Sequence, residues 1–151
     1  MLAELGPLRR RIAQLSGSLV ATCDGLLVAH DLPPDLEPAG MAALAASELS
    51  LSHQMMLNTH DGDFDEVVIR GTGGYVVIYA AGPHASLTLL AGPEVNVGRL
   101  HLEARPVART IADHLADSTH PLRNRRNAHV QSGNGAEGDD GDRRGARMRR
   151  R

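Results

Sequence analysis

The chain has 151 residues, of which 16 are basic and 18 acidic, so its formal net charge at pH 7 is −2. It contains one cysteine and no lysine. A single cysteine excludes an intrachain disulfide, and the absence of lysine excludes a Walker A phosphate loop and Schiff-base chemistry.

The first predicted element is a short amphipathic helix that begins near Pro7, since proline suits the first turn of a helix. Its apolar residues recur at helical spacing. They are Leu5, Leu8, Ile12 and Leu15. A hairpin over residues 18–31 follows, and it turns at Asp24-Gly25 because this dipeptide favours the positive φ of a tight turn.

The second predicted helix covers residues 39–58 and is apolar over much of its circumference. One side of the apolar arc holds Leu44, Leu51 and Met55. The other side, about 100–160° away, holds Ala45, Leu49 and Met56. One sheet covers only half of such an arc. We expect the half with Ala45, Leu49 and Met56 to meet another surface, either a second copy of the chain or the chain's own loops.

Three apolar strands follow, over residues 64–70, 75–81 and 85–91, separated by glycine-containing turns. They do not alternate between apolar and polar residues, as a sheet with one solvated face would. The pattern therefore predicts an α+β fold: a five-stranded antiparallel sheet with helices on both faces, in the order α-β-β-α-β-β-β-α.

The last predicted helix covers residues 96–116, with Asn96 as its N-cap. Pro106 is expected to kink or locally break this helix. After it, large apolar side chains become few, and such a segment cannot offset its ordering entropy by burial. We predict one domain over 1–117 and a disordered, arginine-rich tail over 118–151.

The charge divides in the same way as the predicted order. Residues 1–116 carry seven arginines and thirteen acids, whereas the remainder carries nine arginines and five acids. A basic tail suits an anionic membrane surface or nucleic acid, or it serves only for solubility. No aromatic residue interleaves the arginines, which disfavours nucleic acid.

No residue pattern predicts a catalytic, cofactor or metal site. The Gly71–Gly74 segment lies between two strands and lacks the helix of a phosphate loop. The eight histidines form no ligand motif. Cys23 is interpreted as a structural turn residue, and the acidic loop Asp61–Glu66 as a solvated loop. No segment approaches the ~20 apolar residues of a membrane span, so we expect a cytoplasmic protein.

Five segments together resemble the small bacterial members of the Roadblock/LC7 family. They are LVATCDGLLVA at 19–29, MAALAA at 41–46, DEVVIRG at 65–71, GYVV at 74–77 and SLTLLA at 86–91. The resemblance implies a five-stranded antiparallel sheet between helices. It also implies a homodimer in which the middle helix packs on its symmetry mate and the third strand pairs edge to edge.

The resemblance further implies a partner, since bacterial members of the family partner small Ras-like GTPases as activators or scaffolds, in some cases beside a sensor-kinase-like protein. We therefore predict a non-catalytic homodimeric regulator or scaffold for a small Ras-like GTPase. The alternative is a ligand-sensing module without enzymatic activity. The residues predicted to form the dimer or partner interface are Ala45, Leu49, Ser52, Met56, Val67 and Ile69.

Overall fold

The structure is a computed structural model that describes residues 1–119. It contains three helices: α1 (Leu2–Arg11), α2 (Pro38–Thr59) and α3 (Val97–Thr119). It contains five strands: β1 (Leu15–Thr22), β2 (Leu27–Asp31), β3 (Glu66–Gly71), β4 (Gly74–Ala81) and β5 (Ala85–Ala91). This order confirms the predicted succession of elements. Apart from its first two residues, the predicted tail lies outside the described range.

The five strands form one antiparallel sheet in the order β2-β1-β5-β4-β3. β5 is central and pairs on one side with β1, from Thr22 opposite Ala85 to Leu15 opposite Ala91. On its other side it pairs with β4. Strands β2 and β3 are the two edges, so the sheet is open rather than closed.

Helices cover both faces of the sheet, as the non-alternating strands predict. The larger hydrophobic cluster joins α1 and α3 to one face and includes Leu5, Leu8, Leu87 and Leu100. A smaller cluster on the other face joins α2, through Ala42, to the β1 residues Leu19 and Ala21. The sheet is therefore the middle layer of three, and α2 is the one helix of residues 1–119 that packs on its second side.

Helix α1 begins earlier and ends earlier than predicted. It starts at Leu2, so Pro7 lies inside the helix rather than at its first turn. Leu15 belongs to β1, where it pairs with Ala91. Leu5, Leu8 and Ile12 are buried as predicted. Helical spacing misassigned Leu15 because a buried leucine is compatible with a strand as well as with a helix.

Helix α3 runs unbroken from Val97 to Thr119 through Pro106. Pro106 is exposed, and the carbonyl it cannot bond belongs to Leu102, whose side chain is also exposed. Water can satisfy that carbonyl. The helix therefore continues, and the local break predicted at Pro106 does not occur. The Asn96 side chain accepts a hydrogen bond from the Arg99 backbone at 2.9 Å, which confirms the predicted N-cap.

Candidate partner interface

Alanines form the inner face of α2. The buried residues of this 22-residue helix are Ala42, Ala45 and Ala46. Small side chains let the helix backbone approach the sheet closely. A Cβ atom on Gly25, in the β1–β2 turn, would lie only 3.2 Å from Ala43 Cα. The N-terminal half of α2 therefore packs directly on the sheet.

The large apolar side chains of α2 face solvent. Leu44, Leu51 and Met55 are 67%, 64% and 70% exposed, and their spacing of seven and four residues places them in one stripe along the helix. The only charged residue of α2 is Glu48. This outward stripe (Leu44, Leu51 and Met55) is an exposed apolar surface of the kind that marks protein–protein contacts, and Glu48 lies beside it, one turn after Leu44.

The structure corrects which half of the apolar arc the sheet covers. Ala45 is only 3% exposed, so it packs within the protomer. Leu49 and Ser52 are half-buried, and the Ser52 hydroxyl donates to Glu48 at 3.3 Å. Met56 is 36% exposed. The outward stripe is the half that the described residues leave uncovered. Whether the predicted interface residues contact a second copy stays a prediction.

The other two predicted interface residues, Val67 and Ile69, lie on the edge strand β3. Tyr79 points towards α3, where its hydroxyl lies 2.8 Å from His101 Nδ1. Glu66 is opposite Tyr79 and faces the same way. Because side chains alternate along a strand, Val67 and Ile69 face the α2 side. Val67 is half-buried and Ile69 is 41% exposed, so this edge remains apolar and accessible.

On the opposite face, four side chains from β3, β4 and α3 form a polar cluster: Glu66, Tyr79, His101 and Arg105. Arg105 donates to both carboxylate oxygens of Glu66, at 2.9 Å from Nε and 2.6 Å from Nη2. Hydrogen bonding from Arg105 holds the pKa of Glu66 below its ordinary value, and burial opposes this. Burial, and then the charge of Glu66, raise the pKa of Tyr79. No local sequence pattern links these residues, since 39 positions separate Glu66 from Arg105.

Within residues 1–119, no group of three or more His, Cys, Asp or Glu side chains could hold a metal ion. Arg70 lies over the ring of Tyr75, with 5.8 Å between the guanidinium carbon and the ring centre. Arg9 pairs with Asp31 at 3.0 Å. No helix of the described part is long and apolar enough to cross a membrane.

Comparisons with known proteins agree with the resemblance in sequence. The family model of the Roadblock/LC7 domain matches residues 1–91. A crystal structure of a Roadblock/LC7 domain from Streptomyces avermitilis has 26% identity and a TM-score of 0.71, covering 77% of this chain and 98% of that chain.

Two solved MglB structures share the fold at lower identity. MglB from Myxococcus xanthus has 12% identity and a TM-score of 0.70, covering 76% of this chain and 94% of that one. An MglB structure described as having a tetrameric arrangement has 22% identity and a TM-score of 0.67, covering 74% and 85%. The open sheet between one helix and two helices is thus an arrangement that solved proteins share.

Proposed function

The chain belongs to the Roadblock/LC7 family, and on that premise we propose that it is a non-catalytic homodimer that regulates or scaffolds a small Ras-like GTPase. The GTPase class comes from the bacterial members of the family. The observation that carries the proposal is the outward stripe of α2. Three large apolar side chains there are about two-thirds exposed. Exposed apolar surface of this kind is uncommon on monomeric proteins and marks contacts with partners.

Self-association is supported by the surface that joins the edge strand β3 to one flank of α2. This flank is the side of the helix that carries Leu49 and Met56. Val67 and Ile69 lie on the α2 side of β3, and β3 has no partner on its outer edge among the described strands. α2 itself contacts β3. An apolar edge strand pairs readily with another chain unless charges or bulges protect it. Pairing with a second β3 would continue the sheet across two protomers.

We propose that the outward stripe meets the GTPase, because dimerisation through the β3 edge leaves the exposed side of α2 free. With Glu48 as its only charge, the contact would be apolar and positional. It would act by favouring one ordered state of the GTPase switch segments. α2 supplies no arginine, so this surface lacks the residue that GTPase activators commonly insert.

We propose that the protein acts in the cytoplasm. We also propose a sensor-kinase-like protein as an additional partner. Peripheral contact of the arginine-rich tail with an anionic membrane also stays a prediction. The second candidate function, a ligand-sensing module, is favoured by one observation: a cleft of about 670 Å³ lies beneath the C-terminal half of α2, lined in part by Leu49, Phe64 and Pro83.

The experiment that tests the proposal is a pull-down with the tagged full chain as bait. The lysate of the source cells receives excess GTP or GDP, and captured proteins are identified by mass spectrometry. We expect a Ras-like GTPase that is enriched with one nucleotide. The double variant L51S/M55S should capture at least about tenfold less GTPase than the unchanged chain, because two large apolar contacts are removed.

A matched control is Leu102→Ser, which removes an apolar side chain that is 73% exposed on α3, on the other side of the sheet. It should capture the GTPase as the unchanged chain does. Equal capture with both nucleotides would favour a scaffold over a regulator. Capture of no GTPase by folded bait, or equal capture by L51S/M55S, would contradict the proposed contact.

A further inference from the structure

The backbone of β3 determines which of its residues can pair with another strand. The carbonyl oxygen of Asp65 accepts a hydrogen bond from the Ala80 backbone at 2.8 Å, so this carbonyl points towards β4. Backbone groups alternate in direction along an antiparallel strand. The residues at positions 66, 68 and 70 therefore direct their N–H and C=O groups to the outer edge, where none of the described strands pairs with β3.

The side chains of these three residues share one face of the sheet. Glu66 reaches α3, where Arg105 holds its carboxylate, and alternation along the strand places Val68 and Arg70 on the same face. Val68 is 43% exposed. Arg70 is exposed, lies over the ring of Tyr75 and makes no ion pair within residues 1–119. The outer edge of β3 thus presents an acid, an apolar residue and a base at equal spacing.

This order is complementary to itself when the strand is reversed. Two copies of β3 that pair about a two-fold axis perpendicular to the sheet keep equivalent faces on the same side, so the axis lies at a residue and not between two residues. With Val68 at the axis, each Glu66 lies opposite the partner's Arg70. Each Val67 then lies opposite the partner's Ile69. Cross-strand pairs of opposite charge and of apolar side chains are stabilising, and positions 66, 68 and 70 would exchange about six backbone hydrogen bonds.

The two neighbouring registers lack this match. With Val67 at the axis, Glu66 lies opposite Val68. With Ile69 at the axis, Arg70 lies opposite Val68. Both registers place a charge opposite an apolar side chain, and charged residues on an edge strand hinder pairing that leaves them unmatched. The residues of β3 therefore favour the register centred on Val68.

We propose that β3 pairs with the β3 of a second copy in the register centred on Val68, and that Glu66 and Arg70 select this register. The inference rests on the homodimer proposed above and names the residues that decide its geometry. The partner's Arg70 would join the cluster in which Arg105 and His101 contact Glu66. A carboxylate has about four acceptor positions, so Glu66 can accept hydrogen bonds from both arginines. The same two charges disfavour strands that lack the reversed order.

Disulfide trapping distinguishes the registers. The backbone groups of Val67 and Ile69 point towards β4, so across the axis these residues would form a pair without hydrogen bonds, whose Cα atoms lie close enough for a disulfide. The full chain carries Cys23→Ser, so that each variant has one cysteine. V67C and I69C, mixed and left to exchange subunits, should cross-link with each other. Each variant alone should give at least about tenfold less cross-linked dimer on non-reducing gels, because its two cysteines would lie on a diagonal of about 7–8 Å.

The other outcomes overturn the proposal. Cross-linking of V67C alone indicates an axis at position 67, and cross-linking of I69C alone indicates an axis at position 69. The solution mass of the C23S chain, from sedimentation equilibrium, separates this inference from the proposed homodimer. A dimer with either of these patterns, or with no cross-link, contradicts the register alone, whereas a monomer contradicts the homodimer as well.

The role of the two charges is tested by Arg70→Glu, which places a glutamate opposite each Glu66. Like charges directly opposite each other are destabilising. The dimer contains this contact twice, so its dissociation constant should rise at least about tenfold. The matched control Arg99→Glu makes the same change of charge at an exposed arginine of α3 and should change the constant by less than about twofold. Circular dichroism reports whether both variants are folded. Equal effects of the two variants would assign the change to net charge and overturn the roles of Glu66 and Arg70.

Discussion

Glu66 ties the edge strand β3 to α3. Its side chain is only 15% exposed and accepts two hydrogen bonds from Arg105, with His101 Nδ1 3.4 Å from one of its oxygens. Hydrogen bonding from Arg105 lowers the pKa of Glu66 from the ordinary 4.5, although burial raises it. The folded chain therefore keeps this carboxylate ionised at a lower pH than the unfolded chain does.

This difference makes the stability depend on pH with a definite sign. The contribution of Glu66 is fully present above its ordinary pKa and is lost as the pH falls through the lowered value. Substituting Glu66 by Gln should reduce the slope of the unfolding free energy between about pH 5 and pH 3, as measured by urea denaturation at several pH values. Glu94→Gln, at an exposed glutamate with no ion pair among residues 1–119, should leave the slope unchanged. An equal slope in E66Q would contradict the assignment.

Gly74 begins β4 where the backbone of Ala91 passes closest. Its φ of +144° lies where side chains are rarely accommodated. A Cβ atom there would be 2.1 Å from the Ala91 carbonyl oxygen, which belongs to the backbone and cannot move without displacing β5. The neighbouring Gly73 has no atom within 4 Å of such a Cβ.

Substituting Gly74 by Ala should therefore destabilise the fold by about 3 kcal/mol or more, since it combines a strained backbone with a backbone clash. Gly73→Ala, one position away, should change the unfolding free energy by less than about 0.5 kcal/mol, as surface substitutions commonly do. Urea denaturation midpoints of the two variants decide this. Similar midpoints would show that β5 can move at Ala91.

Among the elements, α2 is unusual because its small residues are buried and its large apolar residues are exposed. The helical wheel separates the two halves of its apolar arc correctly. It does not tell which half meets the sheet, because both are apolar and the usual ranking of hydrophobicity would bury leucine before alanine. The close approach of the helix to the β1–β2 turn, which Gly25 and Ala43 permit, decides the orientation. The sequence of α2 alone does not determine the distance between the helix and this turn.

The predicted role of the α2 flank in self-association has a direct test. The double variant L49S/M56S should lower the solution mass from dimer to monomer, since it places hydroxyls in an apolar contact. Sedimentation equilibrium measures the mass. Leu57→Ser alters the next residue, which is 63% exposed and about 100° further round the helix, and should leave the dimer intact. A monomeric unchanged chain, or a dimeric L49S/M56S, would rule this interface out.

At the scale of the molecule, the sheet separates two helical layers of different character. Six of the seven arginines in residues 1–116 belong to α1 and α3. α2, on the other side, carries one charge in 22 residues. Partners that recognise charge and partners that recognise apolar surface would thus approach opposite sides of the molecule.

The order of the elements could be predicted from the sequence because turns such as Asp24-Gly25 and Gly71–Gly74 are local signals. The position of β5 between β1 and β4 could not be derived in this way, because it depends on pairing between distant residues such as Val20 and Leu87. The cleft beneath α2 also escaped prediction, since its lining comes from four separate parts of the chain.

The central position of β5 also dictates the order of events during synthesis. β1 emerges from the ribosome early, but the strand that pairs with its inner edge begins roughly sixty residues later, at Ala85. Contacts so distant in sequence slow folding, because the intervening loop must be closed first. Until then the apolar hairpin of β1 and β2 has no neighbour in the sheet and is exposed to aggregation. The β1–β2 hairpin therefore gains its inner neighbour only after β5 has been translated.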